Sequence, residues 1–554
     1  MRVVIVGAGA TGLKAACRIR RGDENAEIIV VEKEKEFSIS RCSLPYYIAG
    51  LVKRDDLFKT AYGIPKDKRY FRSKNIEVIT EAAAEVIDRE KKTIEINRNN
   101  FYEKIDYDYL IISTGAKPAI PKIDGVNAKG VYCLHSPKDA DNIIKRLKKS
   151  EKVVIVGAGL IGLECCEAFY EYDVDVTVVE IMNRVLPTLL DYEMAKLVEK
   201  HLKEFGITVM TNSKVERIFQ ENDEVCGVKV NGKEIQCQMV LLATGFRPNV
   251  ELARESGLEI GKTGAIKVNE FMQTSDSNIY AGGDCVECKC LITGEQVYIP
   301  SGSVANRHGR VIADNILGIK RKFKGVLRSI VVRVFDLTVG GIGINEELSG
   351  KKGYEYVTAI ASFSSDKSHT FPERNPMTLK LVVRKDGKLL GAQVVGKGRC
   401  DKKLDSFAAT IFASMNFTDL MNIDFAYSPP YSPAVDHVNT MGYIIDNKIR
   451  GLLKTIRPDE LKSKLERRED IVLVDLRTRR EVEVDKISAS NYINIPFEEF
   501  RNKLKELNIP KNKEIVLICS TGYRSYEALR ILEERGYKNV KSLEGGTLLF
   551  KAFQ

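Results

Sequence analysis

Two glycine-rich turns and two separate cysteines hold most of the chemistry legible in this chain. The turn Gly7-Ala8-Gly9-Ala10-Thr11-Gly12 follows the apolar run 3–6 and leads through a helical stretch to a second apolar run, 28–31, ending at Glu32. The turn Gly157-Ala158-Gly159-Leu160-Ile161-Gly162 follows 153–156 and leads in the same way to 174–179 and Glu180. Glycines at this spacing let the backbone approach a pyrophosphate at a helix N-terminus, while an acidic residue about 20 positions on takes a ribose hydroxyl. One such turn is a weak signal; two, each in full strand–turn–helix–strand context, predict two dinucleotide-binding domains. Cys42 stands alone in Ser38-Ile39-Ser40-Arg41-Cys42-Ser43-Leu44-Pro45, with no second cysteine four or five positions away. Cys519 ends the apolar run 515–518 and opens the loop Cys519-Ser520-Thr521-Gly522-Tyr523-Arg524 before a helix. Loop N–H groups, the helix dipole and Arg524 are features that favour a thiolate there.

A third feature is basic. Lys14, Arg18 and Arg21 are spaced by four and three along the first predicted helix, so they share one face that suits a phosphate-bearing ligand. Cys285, Cys288 and Cys290 crowd together but lack a fourth ligand at zinc-like spacing, so no metal is expected and they read as loop thiols. Cys165 and Cys166 are adjacent on a helix, face different ways, and read as packing residues.

The elements that must position these residues are those of a large α/β protein. At 554 residues the chain holds three or more domains, and 44% hydrophobic with 29% charged residues excludes disordered and fibrous classes. The net charge of +10 is spread over both signs, with no basic block interleaved with aromatics, so small anions fit better than nucleic acid. No apolar run reaches about 18 residues, so no membrane span is expected. The first strand begins almost at Met1, and the 12 cysteines are scattered, which points to a cytoplasmic protein with thiols rather than disulfides. Two apolar strands break at Thr114-Gly115 and Thr244-Gly245, each followed by a proline, and a third ends at Gly282-Gly283-Asp284. From about residue 329 the pattern changes to strands near 329–335 and 378–383, then a helix near 404–415. The basic stretch 446–457 reads as a linker, after which α/β patterning resumes with strands at 471–475 and 515–519 and a helix over 525–535.

Over residues 1–445 this set of motifs closely resembles the two-dinucleotide flavoprotein disulfide reductases. The resemblance implies FAD on Gly7, Gly9, Ala10, Gly12, Glu32 and Lys33, closed by Thr114, Gly115 and Asp284. It implies NAD(P)H on Gly157, Gly159, Gly162 and Glu180; the carboxylate of Glu180 favours NADH, with NADPH the alternative given Arg184 nearby in sequence. The implied layout is an FAD domain over 1–118 and 245–324, an NAD(P)H domain over 119–244, and an α+β dimerisation domain over 325–445. The single cysteine resembles the branch that reduces coenzyme A disulfide, persulfides, polysulfide or oxygen. A lone thiol beside a flavin attacks an S–S bond and is held as a mixed disulfide or persulfide. Peroxidases and oxidases of this branch usually carry a histidine at or just after the first glycine turn; the Ala10–Leu13 stretch has none. By the same resemblance Lys14, Arg18, Arg21, Ser38, Arg41 and Lys74 border a coenzyme A pocket, and Asn306 and Arg307 lie on the substrate side. Tyr427, in Tyr427-Ser428-Pro429-Pro430, matches the interface tyrosine that reaches the reactive sulfur of the partner subunit in a homodimer. His369-Thr370-Phe371-Pro372-Glu373 lacks a tyrosine found in relatives, and Val435 stands where a basic residue is expected. Both weigh against coenzyme A disulfide as the preferred substrate.

Residues 458–554 resemble a rhodanese domain through 472–477, Asn494-Ile495-Pro496, the Cys519 loop and Leu543-Glu544-Gly545-Gly546, with Lys486-Ile487 where His-Ile is usual. The Cys-x4-Arg loop is the size that holds a persulfide, and phosphatases of similar fold need a longer one. The expectation is therefore an FAD- and NADH-dependent reductase of coenzyme A persulfide or polysulfide, with Cys42 accepting sulfur and Cys519 with Arg524 carrying it. Coenzyme A is a substrate or retained cofactor, and a sulfur-donor protein is a further partner. The alternatives are coenzyme A-disulfide reduction for thiol balance, NADH oxidation by oxygen, and a non-catalytic sulfur-relay or docking role.

Overall fold

A computed structural model describes residues 1–504 and 509–554. The chain divides into two compact units, Met1–Val179 with Ser213–Val326, and Glu180–Asn212 with Leu327–Gln554.

In the first unit, the strand Arg2–Val6 lies at the centre of a five-stranded parallel sheet, flanked by Glu27–Glu32 and Tyr109–Ile112, with Glu77–Thr80 and Ile279–Ala281 at the edges. Val3, Val4 and Ile5 are fully buried, as unbroken apolar runs in parallel sheets are when helices cover both faces. The helix Ala10–Gly22 packs on this sheet beside Gly302–Ile316. A second parallel sheet repeats the plan: Lys152–Val156 pairs with Asp175–Val179 on one side and Met239–Leu242 on the other. In both sheets the glycine turn leaves the C-terminal end of the central strand, the position at which doubly wound α/β sheets bind ligands.

In the second unit, five antiparallel strands run in the order Ile330–Val334, Leu337–Gly343, Leu389–Lys397, Met377–Arg384 and Tyr356–Phe363. The helices Asp401–Phe412 and His437–Ile449 cover one face and share a core of Leu379, Leu381, Phe407, Met441 and Ile445. A separate parallel sheet, in the order Thr455–Ile456, Val540–Leu543, Ile515–Ile518, Val472–Asp475 and Tyr492–Asn494, forms the C-terminal α/β layer. The stretch 446–457, expected as a linker, is more structured than its composition indicates. Asp446–Ile449 completes the helix begun at His437, and Thr455–Ile456 joins the last sheet, where Ile456 is fully buried. A short amphipathic turn and a two-residue edge strand give too little periodicity to be recognised among basic residues. Among the described residues no helix is long and apolar enough to cross a membrane.

Candidate active sites

At the first glycine turn, Gly7 has φ +99°, and a Cβ there would lie 2.3 Å from the Ser113 carbonyl oxygen; a Cβ on Gly12 would lie 2.2 Å from the Gly7 oxygen. These two glycines let strand, turn and helix pack. Gly9 is different, because a Cβ there meets nothing within 4 Å, and Gly115, at φ +70°, is equally open. The free space lies where the resemblance puts the dinucleotide. Glu32 sits at the turn, accepting from the Ala8 N–H at 2.7 Å and the Glu34 N–H at 3.1 Å. Lys33 beside it is exposed. Ala10 opens the helix, and Thr11 ties it to the neighbouring one by donating to the Ala305 carbonyl at 2.9 Å. Thr114 donates to the Asn249 carbonyl at 2.7 Å, and Asp284 accepts from the Ser301 N–H at 3.0 Å. Gly7, Thr114, Gly115 and Asp284 all follow the C-terminal ends of adjacent parallel strands, so the sheet gathers them at one edge. This arrangement fits FAD.

Cys42 lies on the single turn Arg41–Ser43, directly before the helix Leu44–Ile48. Ser38, buried and at φ +58°, anchors the approach by donating its N–H to the Ala8 carbonyl at 3.1 Å. One side of Cys42 is open to solvent, yet its thiol is pushed up, first by the packing around it and then by the Glu164 and Asp284 carboxylates. Burial also raises the Asp284 carboxyl, while Arg41 pulls it down. Glu164 and Tyr46 were not anticipated from the sequence. Tyr46 donates to Glu164 Oε1 at 3.2 Å, and burial pushes the Glu164 carboxyl up to about 7. The second fingerprint accounts for the helix carrying Glu164 as a nucleotide binder, and what packs on its far face is a tertiary property that spacing does not show.

The basic helix face divides into two parts. Lys14 and Arg21 are exposed, and with Lys74 they lie close enough to the half-buried Cys17 to oppose the rise that burial gives its thiol. Lys74 rests on the Tyr70 ring, 4.3 Å from its centroid. Arg18 instead turns to the fully buried Asp314, Nε to Oδ1 at 2.7 Å, which Arg321 also holds at 2.5 Å. Asn306 donates back to the Gly302 carbonyl at 2.8 Å, and Arg307 lies over the Phe323 ring at 5.4 Å. The Cys285 and Cys288 thiols are pushed by burial up to about 11 and about 12, the behaviour of inert packed thiols.

At the second glycine turn the same division holds. A Cβ on Gly157 would lie 2.6 Å from the Ala243 oxygen and one on Gly162 2.1 Å from the Gly157 oxygen, whereas Gly159 is open. In the second unit, Glu180 is buried and accepts from the Met182 N–H at 2.8 Å. Arg184 is also buried; it donates to the Leu190 carbonyl at 2.9 Å and pairs with Glu347 at 2.6 Å. Its guanidinium is thus engaged by groups of this unit. Tyr427 is half exposed, and Tyr431 and Val435 are exposed near it in sequence.

Cys519 ends the strand Ile515–Ile518, is buried, and accepts from the Gly522 N–H at 3.0 Å. Gly522 has φ +104° and starts the helix Tyr523–Glu534. The turn Gly545-Gly546 presses on the loop, since a Cβ on Gly546 would lie 2.4 Å from the Ser520 oxygen. The Thr547 N–H donates to the Cys519 carbonyl at 3.0 Å. Asp475, Arg477 and Asn494 form one buried network, with Arg477 Nη2 on Asp475 Oδ2 at 2.7 Å. Arg524 lies beside the Cys519 sulfur but is clamped by Glu481, a residue the sequence reading missed. Its Nη1 and Nη2 donate to the two Glu481 oxygens at 2.8 and 2.7 Å, and Ser520 Oγ donates to the same carboxylate at 2.7 Å. A capping box holds Glu481 in turn, with the Thr478 N–H donating to it at 2.8 Å.

Two dinucleotide turns in tandem with one cysteine beside the first, followed by a Cys-x4-Arg loop in its own sheet, define a flavoprotein oxidoreductase joined to a sulfurtransferase-type module. The chain belongs to the pyridine nucleotide-disulphide oxidoreductases, whose family profile matches residues 1–309, with the dimerisation domain of that family at 330–439 and a rhodanese-like domain at 457–552. FAD and NAD(P)H are the cofactors of this family. A solved NAD-dependent persulfide reductase from A. fulgidus is 47% identical with a TM-score of 0.95, covering 99% of this chain and 100% of that one. The NADH oxidase of Methanocaldococcus jannaschii is 39% identical over 78% of this chain and 96% of its own length. The NAD(P)H coenzyme A polysulfide/persulfide reductase of Pyrococcus horikoshii is 34% identical over 80% of this chain and 98% of its own.

Proposed function

We propose that this protein reduces a persulfide carried on coenzyme A, or polysulfide, to sulfide at the cost of NADH. The observation that carries the reading is the presence in one chain of a single-cysteine flavin site and a complete Cys519–Arg524 loop. FAD would be held by Gly7, Gly9, Ala10, Gly12, Glu32, Lys33, Thr114, Gly115 and Asp284, and supplies the electron pair delivered by NADH. NADH would lie on Gly157, Gly159, Gly162 and Glu180, and the engagement of Arg184 with Glu347 supports a preference over NADPH. The overall balance is NADH, a proton and R–S–SH giving NAD⁺, R–SH and H₂S. Cys42 attacks the outer sulfur, the S–S bond breaks, and the carrier thiol leaves with a proton. Lys14, Arg21 and Lys74, with Ser38, Arg41, Asn306 and Arg307, would orient a coenzyme A carrier, and Tyr427 of a homodimer would donate to the departing sulfur. The proposed domain limits are 1–118 with 245–324, 119–244, 325–445 and 458–554, the third extended to Ile449 by the helix that runs from His437. Anaerobic turnover with coenzyme A persulfide tests the reading: one sulfide per NADH supports it, and NADH consumption without sulfide overturns it.

The similarity to an archaeal NADH oxidase favours a second reading, in which Cys42 cycles through a sulfenic acid with oxygen as acceptor. Oxygen uptake equal to NADH oxidation, lost in Cys42→Ser, would support that one.

A further inference from the structure

Arg524 is the only cation within the Cys519–Arg524 loop, and the arginine expected to draw an anion to the thiol is already paired. Both terminal nitrogens of its guanidinium donate to Glu481, at 2.8 and 2.7 Å, and Nη2 also donates to Ser520 Oγ at 3.0 Å. The carboxylate is built to stay. It accepts as well from Ser520 Oγ at 2.7 Å, from the Thr478 N–H at 2.8 Å and from Thr478 Oγ1 at 3.0 Å. Arg524 holds the Glu481 carboxyl far below the usual carboxylate range, so the guanidinium faces an ionised partner. Three other cations of this module are held by carboxylates as well: Arg477 by Asp475, Arg479 by Glu499, and Lys551 by Asp485.

The consequence depends on where a sulfur donor carries its charge. In thiosulfate the sulfane sulfur is bonded to a sulfonate, so a dianion must approach an attacking thiolate, and that approach needs a free cation. In an organic persulfide the sulfane sulfur is bonded to a thiol sulfur on carbon, and no sulfonate has to be held. Resting on the reading of Cys519 as a sulfur carrier, we propose that Glu481 makes this loop selective for organic persulfides over thiosulfate by closing Arg524 into a bidentate pair. The Cys519 thiolate attacks the outer sulfur of R–S–SH, the S–S bond breaks, R–S⁻ leaves, and Cys519 carries the persulfide as Cys–S–SH. Electrons and charge balance without an added oxidant or reductant. Glu481 acts here through Arg524 and is a positioning residue.

The test measures sulfur transfer from thiosulfate and from glutathione persulfide to cyanide, read as thiocyanate, on the full-length protein and its Glu481→Gln, Arg524→Gln and Cys519→Ser variants. The expected result is a wild-type kcat/KM at least about ten-fold higher for the persulfide. Glu481→Gln removes the charge and leaves one acceptor oxygen where the carboxylate has two, so the bidentate pair opens, and it should raise the thiosulfate-to-persulfide ratio about ten-fold or more. A ratio within about two-fold of wild type in folded Glu481→Gln overturns the proposal. Should Glu481→Gln fail to fold, Arg524→Gln decides: the proposal expects both donors to lose by the same factor, and a loss confined to thiosulfate contradicts it. Cys519→Ser separates the two layers. Transfer that survives it sinks the carrier reading itself, whereas transfer that requires Cys519 with an unmoved ratio sinks only the selectivity.

Discussion

Tyr46 donates its phenolic hydrogen to Glu164 Oε1 across 3.2 Å, joining the short helix that follows Cys42 to the helix of the second glycine fingerprint. The Glu164 carboxyl, raised by burial to about 7, also pushes the Cys42 thiol upward when it is ionised. Glu164→Gln removes that charge. The pH midpoint for alkylation of Cys42 by iodoacetamide should therefore move to lower pH, and an unchanged or higher midpoint would show that the carboxylate does not act on the thiol.

The same carboxyl makes a stability prediction. An acid whose folded pKa lies above its unfolded value is penalised as pH rises through the interval between them, here from the ordinary carboxylate range to about 7. Glu164→Gln should thus gain on the order of 1–2 kcal/mol over wild type at pH 8 and little at pH 5. Thermal melts at the two pH values check the sign.

Glycine substitutions separate packing from cofactor space. Gly12→Ala forces a Cβ to 2.2 Å from the Gly7 oxygen and should damage the fold. A Cβ at Gly9 meets no protein atom within 4 Å, so Gly9→Ala should fold normally yet purify with little flavin. Full flavin content in folded Gly9→Ala would contradict the placement of FAD.

Arg18 and Arg21 share a helix face but should behave differently. Arg18→Ala leaves the buried Asp314 short of a partner and should cost roughly 1–3 kcal/mol of stability. Lys14→Ala and Arg21→Ala should leave the melting temperature in place and raise KM for coenzyme A persulfide by roughly 3–10-fold each. A reversed pattern would place the carrier elsewhere.

Lys380, fully buried, faces Asp191 at 3.0 Å, Glu193 at 3.3 Å and Glu346, with Arg457 completing the group through Glu193 and Glu346. Removing a cation from such a cluster strands buried carboxylates, so Lys380→Met should cost about 3–5 kcal/mol, read as a drop in the denaturant midpoint.

What was legible in the sequence was what local spacing dictates. The glycine turns, the strand ends at Thr114 and Asp284, and the Cys519 loop each depend on residues close along the chain, and the first turn, Thr114 and Asp284 follow the ends of adjacent parallel strands. What was not legible came from distant partners. Glu481 meets Arg524 from 43 positions away, and Arg18 meets Asp314 from 296. A helical period tells which residues share a face but not what packs against it, so a basic stripe showed no difference between Arg18 and Arg21. Glu164 was hidden for a related reason, since one motif accounted for its helix and the burial that raises its carboxyl is a tertiary property.

Cys42 is proposed to accept sulfane sulfur that NADH reduces to sulfide, with Cys519 as a sulfur carrier. Anaerobic NADH oxidation and sulfide release should be followed with coenzyme A persulfide, polysulfide and coenzyme A disulfide, for wild type, Cys42→Ser and Cys519→Ser. Fast sulfide release from persulfide or polysulfide, abolished in Cys42→Ser and reduced in Cys519→Ser, is the expected result. Turnover confined to coenzyme A disulfide and indifferent to Cys519 would contradict it.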